Sequence, residues 1–443
     1  MQGNRKAIWG WYFFDWASQP YNTLLLTFIF GPYITSVMGD GTAAQTIWGY
    51  GIAATGFVIA LASPILGAIA DHARGRMPFI KVFSVMYVIG AAGLWLAHPQ
   101  DLNIWLVMMF FGLGLIGMEF ATSFTNAMMP DLAPPDQIGR MSGSGWAFGY
   151  LGGVLALAVM LLAFDDSANG RTLLGNPPAL GLDPGTREGT RFVGPLTALW
   201  FMLFIIPFFL WVKEPCKRGL PVAAAARAAI PDLMHSLRHL PARQSLFAYL
   251  MSSMFYRDAL NGIYAFGGIY AAGMLGWQPV QMGIFGIIGA LTGALFAWIG
   301  GRADGRFGPK PVIVTSLIAL TAIALAVVFV SRDQVFGIAV APGSPLPDVA
   351  FFTLGALIGA AGGALQSASR TMLLRQADPA RLTEAFGLYA LTGKATSFLA
   401  PLLIAVTTDL SGSQRIGISP LIALFLIGLL LLAYVKPEGE KQA

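Results

Sequence analysis

Apolar residues fall along this chain in blocks of roughly 20. That is the length needed to cross about 30 Å of hydrocarbon at 1.5 Å per residue. The blocks lie near 9–37, 45–70, 79–97, 103–128, 143–164 and 192–212, then near 244–274, 279–301, 311–331, 348–373, 384–409 and 417–435. The pattern predicts an all-α membrane protein with twelve transmembrane helices in two six-helix bundles. Between the bundles lies "KEPCKRGLPVAAAARAAIPDLMHSLRHLPARQ", basic, punctuated by proline and helical in part of its pattern. It is expected to be a linker on the membrane surface. The expected organisation is an N-terminal bundle over 1–212, a cytoplasmic linker over 213–243 and a C-terminal bundle over 244–443.

Composition agrees with the pattern. The 443-residue chain is 56% hydrophobic and only 11% charged, and its mean hydropathy is +0.66. A soluble chain carries about a quarter of its residues charged. The net charge of +5 and pI near 9.3 do not point to nucleic acid, because the cations collect in alternate loops. With both termini in the cytoplasm, 20 Lys and Arg lie in cytoplasmic segments and five lie outside: Arg171, Arg187, Arg191, Arg332 and Arg415. Shifting the topology by one helix would invert this positive-inside bias. Arg5 and Lys6 precede an apolar stretch too long for a signal-peptide core, with no small-residue cleavage site after it, so the first helix is expected to stay as an anchor. The one cysteine, Cys216, cannot form an intramolecular disulfide.

The two halves repeat. "GAIADHARGRMP" follows the second block and "GGRADGRFGPKP" follows the eighth. Both fit Gly-x-x-x-Asp-x-x-x-Gly-x-x-Pro, matching Gly67 with Gly300, Asp71 with Asp304, Gly75 with Gly308 and Pro78 with Pro311. A second pair, "MMPDLAPPDQIGR" and "MLLRQADPARLTE", follows the fourth and tenth blocks. A duplicated six-helix unit is the natural reading. Its two-bundle organisation and Gly-x-x-x-Asp turns resemble the major facilitator superfamily. That superfamily's turn carries Arg or Lys directly after the Asp and Gly two residues later. Here His72 and Gly305 follow the Asp, and the Gly comes late. Three longer stretches, "FFDWASQPYNTLLLTFIFGPY", "FYRDALNGIYAFGGIYAAGMLG" and "EAFGLYALTGKATSFLAP", resemble the UMF1 branch, related to the Atg22-like vacuolar amino-acid effluxers. The resemblance implies the major facilitator fold, transport by alternating access, an amino-acid substrate and a conformational role for the loop residues Gly67, Asp71, Gly75, Gly300, Asp304 and Gly308.

Five ionisable residues fall deep inside the expected spans, away from their ends: Asp15, Glu119, Arg257, Asp258 and Lys394. A charge at a helix centre costs roughly 2.5–3.5 kcal/mol on insertion scales, so such residues face a bundle interior or a wet cavity. At an offset of 243, Asp15 matches Asp258. Arg257 and Asp258 are adjacent, about 100° apart on a helix, so they are not expected to face one partner squarely. Uncharged polar residues able to orient a small hydrophilic ligand are Gln19, Tyr21, Asn22, Asn126, Asn261, Tyr264 and Gln366; interhelical hydrogen bonding is their plainer role. These twelve residues form the expected substrate or proton site. A zwitterion would place its carboxylate on Arg257 or Lys394 and its ammonium on Asp15. A carboxylate raised by desolvation could carry a coupling proton.

His235 and His239 have i, i+4 metal spacing but no third ligand nearby, and no metal or other cofactor is expected. No phosphate-binding Walker loop is present, so ATP is not expected as the energy source within this chain; the intramembrane carboxylates point instead to a proton gradient. "MSGSGW" lacks the spacing of a catalytic serine elbow, and no enzymatic activity is expected. The expectation is a monomeric multi-pass protein of the cytoplasmic membrane, with lipid and a small molecule as its partners. It would move a small polar solute, an amino acid favoured, with no nucleic acid involved. Two alternatives stand beside this. A lipid or amphiphile flippase is kept open by the aromatics Trp11, Phe13, Phe14 and Trp16, and a transport-inactive sensor or scaffold is the reading from another class.

Overall fold

The computed structural model describes residues 5–38, 41–73, 75–166, 170–214, 219–277 and 279–440; Cys216 lies outside the described residues. Among them, ten helical segments are long and apolar enough to cross a membrane, from Tyr50–His72 to Gln414–Ala433. The other two expected spans hold most of the candidate charges. The first is divided into an α-helix Arg5–Pro20, a π-helix Tyr21–Phe28 and an α-helix Phe30–Met38. The other is the 32-residue helix Gln244–Leu275, which carries Arg257 and Asp258. One short antiparallel hairpin, Gln334–Val335 with Ile338–Ala339, is added to the helices.

Proline explains two of the breaks. Pro20 has no N–H, so the carbonyl of Trp16 loses its helical partner. The indole Nε1 of Trp200 donates to that carbonyl at 3.2 Å. The chain then widens into the π-helix, where the Thr27 hydroxyl donates to the Asn22 carbonyl at 2.8 Å. Pro401 does the same later. It cannot bond the carbonyl of Ser397, and the expected span over 384–409 separates into Leu382–Ala395 and Leu399–Ser411 around a turn.

The described chain divides into two compact units. The first comprises Met1–Ser63, Ala70–Ala133 and Phe148–Ala225. Its core is aromatic: Trp11, Phe14, Tyr21, Tyr33, Tyr87, Phe111 and Phe124 are essentially without exposure. Their polar atoms are satisfied by backbone, as burial in a dry interior requires. Trp11 Nε1 donates to the Thr125 carbonyl, and the hydroxyls of Tyr21 and Tyr33 donate to those of Phe111 and Ala97.

The second unit comprises Pro64–Ile69, Pro134–Ala147 and Ala226–Ala443. Helices Pro279–Phe307 and Leu346–Gln376 approach through glycine. A Cβ on Gly359 would overlap the carbonyl oxygen of Gly289, and one on Gly363 that of Gly293. Small residues at such seams let membrane helices pack backbone to backbone. Helix Pro135–Val159 begins well before the expected 143, and its polar start belongs to this unit. There Arg370, 4% exposed, donates through Nη2 to the Ser142 carbonyl at 2.7 Å and through Nε to its hydroxyl at 3.1 Å. That hydroxyl in turn donates to the Ser367 carbonyl at 2.7 Å.

The expected surface linker is helical over Val222–His239. Ala229 and Leu233 are buried against Ala68, with Ile69 and Leu237 at the border.

Candidate functional site

In the first unit, Asp15 and Gln19 stand one turn apart on Arg5–Pro20, and Asn22 lies in the π-helix that follows. All three are half-buried, whereas Trp11, Phe14, Ala17 and Ser18 are buried. Asp15 and Gln19 lie against Gly149 and Gly153, where an added Cβ would sit 3.2 Å from the Asp15 Cβ and 2.9 Å from the Gln19 Cγ. Asn22 Nδ2 reaches the Met118 sulfur at 3.9 Å. Glu119 and Asn126, seven residues apart, share one face of helix Ile104–Asn126; Glu119 is half-buried and Asn126 buried. Tyr21 sits deep in the aromatic core, its hydroxyl on the Phe111 carbonyl at 2.6 Å. That placement is structural packing.

In the second unit, Arg257 and Asp258 do meet one partner. They bracket the broken helix 382–411. Arg257 donates through Nη1 to the Tyr389 carbonyl at 2.7 Å, and its guanidinium lies 4.0 Å from the Tyr389 ring centroid. Gly393 allows this approach, since a Cβ there would fall 2.6 Å from the guanidinium carbon. Asp258, 1% exposed, accepts from the Ala400 N–H at 2.9 Å through Oδ2. The turn before Pro401 freed that N–H, and Leu399 N has taken the Thr396 carbonyl at 2.7 Å. Asp258 is therefore an N-terminal cap supplied by another helix. Adjacent side chains reach the same helix because they point apart, one toward each side of its break.

Arg257, Asn261 and Tyr264 follow i, i+4, i+7 spacing and so form one face of Gln244–Leu275. Asn261 is exposed, Tyr264 is 45% exposed and Arg257 is half-buried. The Tyr264 hydroxyl lies against Gly362, one turn before the half-buried Gln366. Lys394 is the penultimate residue of Leu382–Ala395, beside Gly393 and next to the break. Asp15, Gln19 and Asn22 repeat as Arg257, Asn261 and Tyr264 at an offset of 242. By face, the residue corresponding to Asp15 is thus Arg257, of opposite charge; the offset of 243 had matched it with the buried cap Asp258.

The family described as "Vacuole effluxer Atg22 like" matches residues 37–443. The chain belongs to that family. It is 26% identical to the uncharacterized MFS-type transporter YxiO of Bacillus subtilis over 438 residues, 97% of this chain and 94% of that protein. It is 23% identical to autophagy-related protein 22 of Cryptococcus neoformans over 318 residues, 69% of this chain but only 52% of that protein, so it spans about half the length of that relative. The fold is that of the E. coli fucose:proton symporter FucP, with a TM-score of 0.66 at 15% identity, covering 97% of this chain and 98% of that one. This Atg22-like chain is a multi-pass membrane protein and a major facilitator transporter.

The turn signature of this Atg22-like protein departs from the superfamily pattern, and the first unit shows how the missing cation is supplied. Arg76, 2% exposed, pairs with Asp71 at 3.5 Å and Asp131 at 3.0 Å. The carboxylate of Glu214 then accepts from the backbone N–H of Arg76, at 2.7 Å to its nearer oxygen, and of Met77 at 3.1 Å. It caps helix Met77–Gly93 and leaves no room for a Cβ at Gly75, where one would lie 2.6 Å from Glu214 Oε2. Gly67 is buried in the second unit, with no room for a Cβ against the Thr383 carbonyl. In the second unit, Asp304 is buried beside Gly139, Gly300 packs on Ala364, and Gly308 (φ +84°) precedes helix Pro309–Val328. Arg375 occupies the repeat position of Asp131 and pairs with Glu438 at 2.6 Å. Arg76, Asp131, Glu214 and Arg370 were not among the expected site residues. "MMPDLAPP" contained the signal for Asp131, and Arg370 lay inside the expected span 348–373.

Proposed function

We propose that this transporter moves a small polar solute, an amino acid favoured, across the cytoplasmic membrane by alternating access with proton coupling. One observation carries the reading: the guanidinium of Arg257, near the middle of helix Gln244–Leu275. Among the described residues its one hydrogen bond is to the Tyr389 carbonyl, so most of the five N–H donors of an arginine remain for an anion. A carboxylate suits that planar fork. Asn261 and Tyr264 extend the same face, and Lys394 lies beside Gly393 with a second positive charge. The corresponding face of the first unit carries Asp15, Gln19 and Asn22, an acid where the second unit has a base. An amino acid presents a carboxylate complementary to the Arg257 face. FucP, which shares this fold, is named as a proton symporter, and the half-buried Asp15 and Glu119 are the proposed proton carriers.

The aromatics that favoured an amphiphile give it little support. Trp11 and Phe14 are wholly buried, and Trp16 is stacked on Trp200 with ring centroids 6.0 Å apart.

The test is uptake of a labelled amino-acid mixture by proteoliposomes, with and without an imposed pH gradient. Gradient-driven accumulation is expected. It should be lost in Asp15→Asn or Glu119→Gln, whichever carries the proton, with exchange retained. Arg257→Lys should raise KM at least tenfold. No uptake above empty liposomes by protein shown to be folded overturns the amino-acid reading.

A further inference from the structure

The helix Val222–His239 has two faces that are already used. Ala229 and Leu233 pack on Ala68. Beside them, Asp232 pairs with Arg381 at 3.8 Å, and Arg381 Nη1 donates to the Ser236 hydroxyl at 2.8 Å. At 100° per residue, Ala223, Arg227, Ile230, Met234 and Arg238 fall within about 80° on a third face. All five are exposed, Ile230 at 54% and Met234 at 48%. An apolar stripe edged by arginines, with no acid on that face, is the arrangement of a helix lying in a membrane interface. The apolar side chains enter the acyl boundary while arginine stems run along it and deliver their guanidinium groups to the headgroups. Position agrees with this. The preceding apolar helix ends at Trp211 and the next begins at Gln244, so the helix is tied to the membrane boundary at both ends. The 213–243 segment holds six Lys and Arg against two acids.

We infer that this face binds anionic phospholipid, with Ile230 and Met234 among the upper acyl carbons and Arg227 and Arg238 on headgroup phosphates. A free phosphate ion would give the apolar stripe nothing to cover it, which makes the lipid the occupant. The inference is independent of which solute is carried.

The test uses the full chain with Cys216→Ser and Ala223→Cys, labelled with a bimane fluorophore on the same face. The protein is reconstituted in phosphatidylcholine liposomes in which one fifth of the lipid is brominated phosphatidylglycerol or, separately, brominated phosphatidylcholine. Stronger quenching by the phosphatidylglycerol is expected. A basic residue near an anionic surface contributes about fivefold in binding, so Arg227→Gln with Arg238→Gln should remove most of that preference. Ile230→Ser with Met234→Ser should weaken quenching by both lipids. These exposed positions leave folding intact, checked by an unchanged elution profile. Equal quenching by the two lipids in the unsubstituted face, or quenching by neither, overturns the inference. So does loss of the preference on adding inorganic phosphate in place of chloride at equal ionic strength, which would assign the arginines to a free anion.

Discussion

Asp258 separates two readings that the sequence left joined, a carboxylate for transport and a carboxylate for structure. Its Oδ2 takes the Ala400 N–H at 2.9 Å, and among the described residues its Oδ1 has no hydrogen-bond partner. Asp258→Ala leaves a buried backbone donor without an acceptor, which costs about 1–3 kcal/mol. Interhelical hydrogen bonds in membranes average nearer 0.6 kcal/mol, because the unfolded chain in the bilayer also finds partners. The larger range applies here, because the donor is a backbone group at a fixed break and cannot swing to another acceptor. Asp258→Asn keeps an acceptor at the same place and removes a poorly compensated buried charge. It should stay within about 1 kcal/mol of the unsubstituted protein.

Pro401 supplies the decisive control. Pro401→Ala restores an N–H that can bond the Ser397 carbonyl and lets Ala400 N return to the Thr396 carbonyl. The cap then has less to do, and Asp258→Ala should cost at least about 1 kcal/mol less in that background. Reversible unfolding in mixed dodecyl sulfate and dodecyl maltoside micelles, followed by tryptophan fluorescence, measures all four corners of the cycle. An equal cost in both backgrounds refutes the cap. Stable Asp258→Asn protein that has lost gradient-driven uptake would move Asp258 back to the proton site.

Three further outcomes follow from the same accounting. Trp200→Phe orphans the Trp16 carbonyl and should cost about 1–3 kcal/mol; Pro20→Ala should recover part of it by supplying the helical N–H, read by the same unfolding assay. Glu214→Ala removes the acceptor for two backbone N–H groups at the start of Met77–Gly93 and should cost about 1 kcal/mol, with Glu214→Gln closer to neutral. Gly359→Ala drives a methyl into the Gly289 carbonyl and should lower stability by about 1–3 kcal/mol or more through overpacking, whereas Gly412→Ala, with nothing within 4 Å but φ +62°, should lose only the smaller cost of a left-handed residue.

Much of this architecture was legible because a membrane imposes one strong rule, that backbone polar groups be satisfied within the segment. Long apolar blocks therefore predicted helices. The breaks at Pro20–Tyr21 and Thr396–Phe398 were also written in the chain, as Pro20 and Pro401. Their consequences were not. Nothing local to Trp200 marks it as the donor to an orphaned carbonyl 184 residues earlier, and Asp258 looks like any membrane carboxylate until Ala400 is placed beside it. The missing cation of the first turn shows the same limit. A pattern match looks directly after Asp71, while a flexible arginine five residues on reaches the same acid through space.

The register of the repeat carries the functional consequence. An offset of 243 pairs two acids and invites one role for both. The polar faces instead pair at 242, placing Asp15, Gln19 and Asn22 in register with Arg257, Asn261 and Tyr264. The two corresponding faces thus carry opposite charge at the same repeat position. Asp258 lies off that face, where its Oδ2 accepts from the Ala400 N–H of the broken helix whose near end carries Gly393 and Lys394. The capping carboxylate thus positions the cationic face without belonging to it, and Asp258→Ala should raise KM through Arg257 while Asp258→Asn leaves KM unchanged.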